Sequence, residues 1–175
     1  MLFRSKAIKK QVDLNKMFVA IRSALKSRLH VKLNLIIGFP DEKRSDVLKT
    51  WLFALRTAVM GVDAVETMVF SPYPGTELFD QLQNEGLIEK LDDDYFRSLA
   101  AFLDPTLQSR FCKAMSGREL TFWRVLIMGS CFSLSFALRP WRLARLLFNV
   151  VRDRSETVLE HRIAVLVRRP AAAKV

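Results

Sequence analysis

The chain is poor in the residues that usually announce a metal or redox site: two cysteines and two histidines in 175 residues. Cys112 and Cys131 lie far apart, which excludes both a zinc site of closely spaced thiolates and a disulfide framework, and suits a reducing cytoplasm. His30 and His161 have no acid or cysteine at ligand spacing, so neither reads as a ligand. The six glycines are scattered, which removes a glycine-rich phosphate loop, and no Ser-His-Asp set can be assembled. Met1-Leu-Phe-Arg-Ser-Lys6 turns charged before any apolar core forms, so no secretory signal is expected. There is no internal repeat, and low complexity is confined to Ala171–Ala173.

Half of the residues are hydrophobic, which excludes a chain disordered throughout. The length fits one ordinary domain or part of a larger one. The net charge of +10 is unevenly spread: +8 over residues 1–50, −6 over 51–110 and +8 over 111–175. A basic end beside an apolar segment points to anionic lipid before nucleic acid. No aromatic residues interleave with base-reaching arginines, so no specific nucleic acid is expected as a partner.

Asp13 can cap a helix with apolar positions Leu14, Met17, Phe18, Ile21, Leu25 and Leu29. Val31–Ile37 then reads as a strand whose last residues are apolar without alternation, as in a parallel strand covered on both faces; Gly38 and Pro40 end it. The next helix should present Val47, Leu48, Trp51, Leu52, Leu55, Ala58 and Val59 on one side and stop at Gly61. Ala64–Phe70 is a second strand, Thr76 caps a short helix ending near Gly86, and Asp92-Asp-Asp94 opens another through Leu99. This strand, helix, strand unit has its loops at the carboxyl ends of the strands, where α/β folds place their chemistry. Two strands are too few for an independent sheet, so the chain is expected to belong to a larger assembly.

Two runs carry the functional signal: Ile36-Ile-Gly-Phe-Pro-Asp-Glu42 and Ser71-Pro-Tyr-Pro-Gly-Thr-Glu-Leu-Phe79. Read alone, Gly38 and Pro40 are strand punctuation. In the second run two prolines fix φ on either side of Tyr73, making either a rigid mouth that presents Ser71 and Tyr73 or a stiff connector with a surface tyrosine. Glu42 reads as a first-turn carboxylate complementing the helix dipole before it reads as a catalytic acid. Glu66 sits mid-strand and points either into a barrel or to an exposed face.

The pair of runs resembles the later strands of radical S-adenosylmethionine (SAM) enzymes, most of all the subgroup that usually carries a cobalamin (B12)-binding domain. The likeness covers roughly the first hundred residues. It implies an α/β fold: a partial (β/α) TIM-like barrel over residues 1–104, followed by a helical region over 105–175. By resemblance, Ile36 and Gly38 lie beneath the adenine of SAM, while Ser71 and Tyr73 face the barrel mouth. Glycine is needed where backbone must approach a ring closely. The family's 4Fe–4S cluster hangs on a Cys-x3-Cys-x2-Cys loop, which this chain lacks. Cluster and cobalamin therefore belong to the complete family enzyme, the missing N-terminal part is an expected partner, and no turnover is expected from the chain alone. Asn34, Asp41 and Lys43 depart from the family's usual residues.

Ser116-Gly-Arg-Glu119 fits a capping box, followed by a helix apolar nearly all round. Val125–Leu138 is uncharged over 14 residues, short of the roughly 18 a spanning helix needs. Pro140 starts a further helix on which Arg142, Arg145, Asn149 and Arg152 fall on one stripe. The expectation is a helical pair peripheral to the inner face of an anionic membrane, and hence an alternative reading as a non-catalytic membrane-surface protein. The competing expectation is a helical pair packed on the barrel.

Overall fold

The computed structural model describes residues 13–88, 90–100, 104 and 111–151. His161, Arg152 and the Ala171–Ala173 tail lie outside the described residues. The chain separates into two compact units, Met1–Phe132 and Ser133–Val175.

In the first unit, helix α1 (Leu14–Lys26) starts where the Asp13 carboxylate accepts from the amides of Asn15 and Lys16. It stops short of the expected Leu29. Arg28 adopts φ +58, the left-handed conformation that closes a helix, and Leu29 is left exposed. Strand β1 (Lys32–Ile37) leads through a turn into α2 (Arg44–Met60), which ends at Gly61 with φ +113. Strand β2 (Ala64–Val69) then pairs in parallel with β1, with Lys32 opposite Ala64 and Ile37 opposite Val69. The fold is α/β with a two-stranded parallel sheet; among the described residues no closed barrel forms.

The pleat gives this sheet two unlike faces. Leu35 and Ile37 with Val65, Thr67 and Val69 form a buried face. Lys32, Asn34, Ile36, Ala64, Glu66 and Met68 form the other, which is exposed to half-buried, and Lys32 reaches Glu66 at 2.9 Å. The expectation of a strand covered on both faces is thus met on one face only.

Helix α2 corrects a second expectation. Its buried residues are Val47, Thr50, Phe53, Ala54, Thr57 and Ala58, whereas Leu48, Leu52 and Val59 are exposed. The small and branched residues allow close packing, and the two threonines satisfy their hydroxyls inside the helix, Thr50 on the Asp46 carbonyl and Thr57 on that of Ala54. Phe53 meets Phe18 of α1 at 5.2 Å, and the Arg56 guanidinium lies over the Phe18 ring, 4.2 Å from its centroid.

Helices α3 (Glu77–Asn84) and α4 (Asp93–Leu99) are capped by Thr76 and Asp92, as their sequences imply. Phe79, Leu82, Ile88, Tyr95 and Phe111 pack into a small core beside the carboxyl end of β2. Helix α5 (Gly117–Leu138) is 22 residues long and apolar enough, by length and composition, to cross a membrane. Its first turns are built into the first unit instead: Leu120 and Ile127 are fully buried, Trp51 of α2 donates its indole N–H to Ser130, and Trp51 meets Trp123 edge-on at 6.2 Å. The Ser116 hydroxyl accepts from the Glu119 amide, but the Glu119 carboxylate takes Arg44 rather than closing the expected box. Helix α6 (Pro140–Val151) follows in the second unit, begun by its proline.

Candidate functional site

The candidate site is the carboxyl end of the β1–β2 pair, where two very different turns leave the sheet. After β1 the chain turns at Gly38, whose φ of +85 favours glycine. Glu42, fully buried, folds back on this turn: one carboxylate oxygen accepts the Gly38 amide at 2.6 Å and the Phe39 amide at 3.2 Å. The expected role for Glu42, a first-turn partner of the helix dipole, is therefore replaced. The residue precedes α2, whose N-cap is Lys43, and acts as a strut inside the strand-end turn.

Residues 111–120 close over this turn. The Cys112 thiol donates to the Glu42 carbonyl at 3.7 Å, and the Lys113 amide donates to the Pro40 carbonyl at 2.9 Å. The Lys113 ammonium bridges Asp41 at 3.1 Å and Glu85 at 2.8 Å. Arg44 forks onto Glu119 at 2.6 and 2.8 Å, joining the starts of α2 and α5. A side chain at Gly38 would meet Leu120 Cδ1 at 2.9 Å and Val69 Cγ1 at 3.3 Å. A ligand can therefore approach Gly38 only from another direction.

These pairs shift their members in the expected senses. The hydrogen bond to Arg44 holds the Glu119 carboxyl below its ordinary value, and that to Lys113 does the same for Glu85. Both ties are complete above the ordinary carboxylate value of 4.5 and are released as pH falls through the lower folded values. Burial pushes the Cys112 thiol up and that of Cys131 up to about 11, so both stay protonated and behave as small apolar side chains.

After β2 the chain runs through Ser71-Pro-Tyr-Pro-Gly75. Ser71 is buried and its hydroxyl donates to the Leu99 carbonyl at 3.3 Å, so it faces the α4 packing rather than an open mouth. Tyr73 projects outward, 52% exposed. Tyr95, buried beneath the loop, donates its hydroxyl to the Pro72 carbonyl at 2.6 Å, and burial raises that phenol. Phe39 of the first turn stacks on Phe70 of the second at 4.6 Å, which ties the two strand ends together.

The four residues singled out from sequence thus take distinct positions. Gly38 lies inside the strand-end turn, and Ile36 is half-buried on the open sheet face, in register with Met68. Ser71 is turned in and Tyr73 out. Sequence reasoning missed Glu42 as a strut, Tyr95 as the support of Pro72 and Leu120 as the cover of Gly38. Only Glu42, a carboxylate four residues beyond a strand-ending glycine, carried a local signal.

On the open face Ile36 and Met68 are apolar and half-buried, and Asn34, two residues before Ile36 on the same strand face, is exposed. The described residues do not fit a 4Fe–4S cluster. Among the described residues no group of three metal-binding side chains converges, and both cysteines are buried and apart. His30 is exposed, with its Nδ1 3.6 Å from the Asp63 carboxylate.

The chain is 39% identical over 61 residues to an uncharacterized methyltransferase of Pyrococcus horikoshii, a match covering 35% of this chain and 13% of that protein. The chain thus spans about an eighth of the length of the curated relative it matches. No family model matches the chain, and no solved structure does.

Proposed function

We propose that the chain is the C-terminal part of a SAM-dependent methyltransferase of the radical SAM type, contributing part of a (β/α) barrel wall over residues 1–104. The observation that carries this reading is the match to a methyltransferase in a chain whose described core is a parallel β1–α2–β2 unit with a left-handed glycine, Gly38, directly after its first strand. Bound SAM supplies the methyl or radical chemistry. This chain's residues bind and orient: Ile36 presents an aliphatic surface to the adenine, Gly38 lets the backbone turn beside it, and Glu42 holds that turn rigid. Tyr73 stands at the rim with its phenol available to a substrate, while Ser71 anchors the loop from within. Cluster and cobalamin come from the rest of the complete enzyme, the N-terminal part being the partner this reading requires, and the chain alone is inactive.

Titration of the chain with SAM, followed by methyl NMR, tests the binding role. The expected result is a shift of the Ile36 and Met68 methyl signals; the Met68 shift should disappear in Ile36→Asp, and both should persist in Tyr73→Phe. Unchanged methyl signals at saturating SAM would overturn it. Separately, a 4Fe–4S absorption spectrum from this chain alone after iron and sulfide reconstitution would sink the assignment of the cluster to another part of the enzyme.

A further inference from the structure

Residues 111–116, which run into α5, carry neither helix nor strand, yet they lie over the turn that follows β1. The two ends of this segment are held differently. At the α5 end, the forked Arg44–Glu119 pair fixes the first turn of the helix, and Leu120 stays packed against Gly38. At Lys113 the hold is electrostatic: one ammonium ties Asp41, in the turn after β1, to Glu85 at the end of α3. All three side chains are roughly a third to a half exposed, and ion pairs so exposed are individually weak and sensitive to salt. Besides that bridge, the Lys113 amide bond to the Pro40 carbonyl and the 3.7 Å contact of the Cys112 thiol with the Glu42 carbonyl join the segment to the turn. Burial of Phe111, Cys112 and Met115 completes the closure. The turn beneath is bound more firmly, because Glu42 is fully buried and its carboxylate takes two amides. A segment with few backbone bonds opens before the element that it covers.

We propose that residues 111–116 form a strap that opens locally about the start of α5, and that the Lys113 bridge to Asp41 and Glu85 keeps it shut. Shut, the strap keeps water from the Glu42 carboxylate and holds the turn after β1 in one geometry. Open, it uncovers Pro40–Glu42, hydrates the strut and loosens the turn, while Leu120 remains on Gly38. Lys113 thus couples the first turn to α3, the helix that follows the second turn, through a tie that salt weakens. The opening is independent of the SAM reading.

Alkylation of the two buried thiols by iodoacetamide, followed at each cysteine by mass spectrometry, tests this in the folded full chain. Cys112 lies in the strap and Cys131 on the buried side of α5, so Cys112 reports local opening and Cys131 reports loss of the α5 packing. Cys112 is expected to react at least about tenfold faster than Cys131. Lys113→Gln should speed Cys112 roughly threefold to tenfold and leave Cys131 unchanged, whereas Lys113→Arg should keep the parent rate. Removing a nearby cation does not favour the thiolate, so faster alkylation reads access rather than reactivity. Potassium chloride at about 1 M should speed Cys112 in the parent and change nothing in Lys113→Gln. The proposal fails if the two thiols react at one rate, since the strap then opens only when α5 does. It fails equally if Lys113→Gln leaves Cys112 unchanged, if that variant speeds both thiols alike, or if Lys113→Arg reacts as fast as Lys113→Gln.

Discussion

The two turns that leave the sheet reach rigidity by opposite means. The turn after β1 is held from a distance in sequence: a buried carboxylate takes two amides, and residues 111–120 seal it from above. The turn after β2 is stiff in its own covalent structure, with prolines on either side of Tyr73, and single hydroxyls hold its carbonyls and its start: Tyr95 on Pro72, Thr76 on Tyr73, and Ser71 on Leu99. The first is therefore costly to perturb and closed; the second is cheap to perturb and presents an exposed aromatic. A site assembled from both would have a fixed floor at Gly38 and a tolerant rim at Tyr73.

The comparison predicts its largest effect at Glu42. Glu42→Ala strands two buried amides, and at about 1–3 kcal/mol for each lost partner it should cost about 3–4 kcal/mol in all. Glu42→Gln keeps an acceptor oxygen and should cost about half as much. Urea unfolding of the two variants decides the matter: midpoints unchanged from the parent chain in both would show that the carboxylate is not what holds the turn.

Gly38→Ala comes next, at about 2–3 kcal/mol, from a left-handed backbone and a contact with Leu120 too short for a Cβ. Leu120→Ala is itself destabilising, but in the double variant the clash is gone. A double-mutant cycle should therefore show favourable coupling between the two sites. Additive losses would mean that Leu120 does not cover Gly38.

How far these features were legible in the sequence follows the range of the forces involved. Asp13, Thr76, Asp92 and Pro140 act within a few residues of their own positions, and each opens its helix as its type implies. Gly61 likewise ends α2. The orientation of α2 was not legible, because Leu48, Leu52 and Val59 outrank Thr50, Ala54 and Thr57 in hydrophobicity, although the smaller residues make the closer packing. Ser71 and Tyr73 appeared equivalent on one loop, yet Ser71 is drawn inward by the Leu99 carbonyl, a contact set by tertiary packing. Thr67 marks the same limit: it reads as an ordinary strand residue, yet its buried hydroxyl finds no hydrogen-bond partner.

The rim should respond more mildly than the floor. Tyr95→Phe removes one hydroxyl from a buried carbonyl and should cost about 1–2 kcal/mol. The loop should also loosen, seen as faster amide exchange at Tyr73 and Gly75. Exchange unchanged at those amides would show that the prolines alone set the loop, a sharper form of the same contrast.

Gly75→Ala supplies the internal control. Gly75 and Gly38 share φ +85, but a side chain built on Gly75 meets nothing within 4 Å. Its substitution therefore carries only the backbone term, about 1 kcal/mol. The excess loss at Gly38 then measures the packing of α5 on the strand end, free of the conformational cost common to both. If the two glycines proved equally sensitive, the floor and the rim would differ in exposure but not in how tightly they are held, and the assignment of ligand floor to one and substrate rim to the other would lose its physical basis.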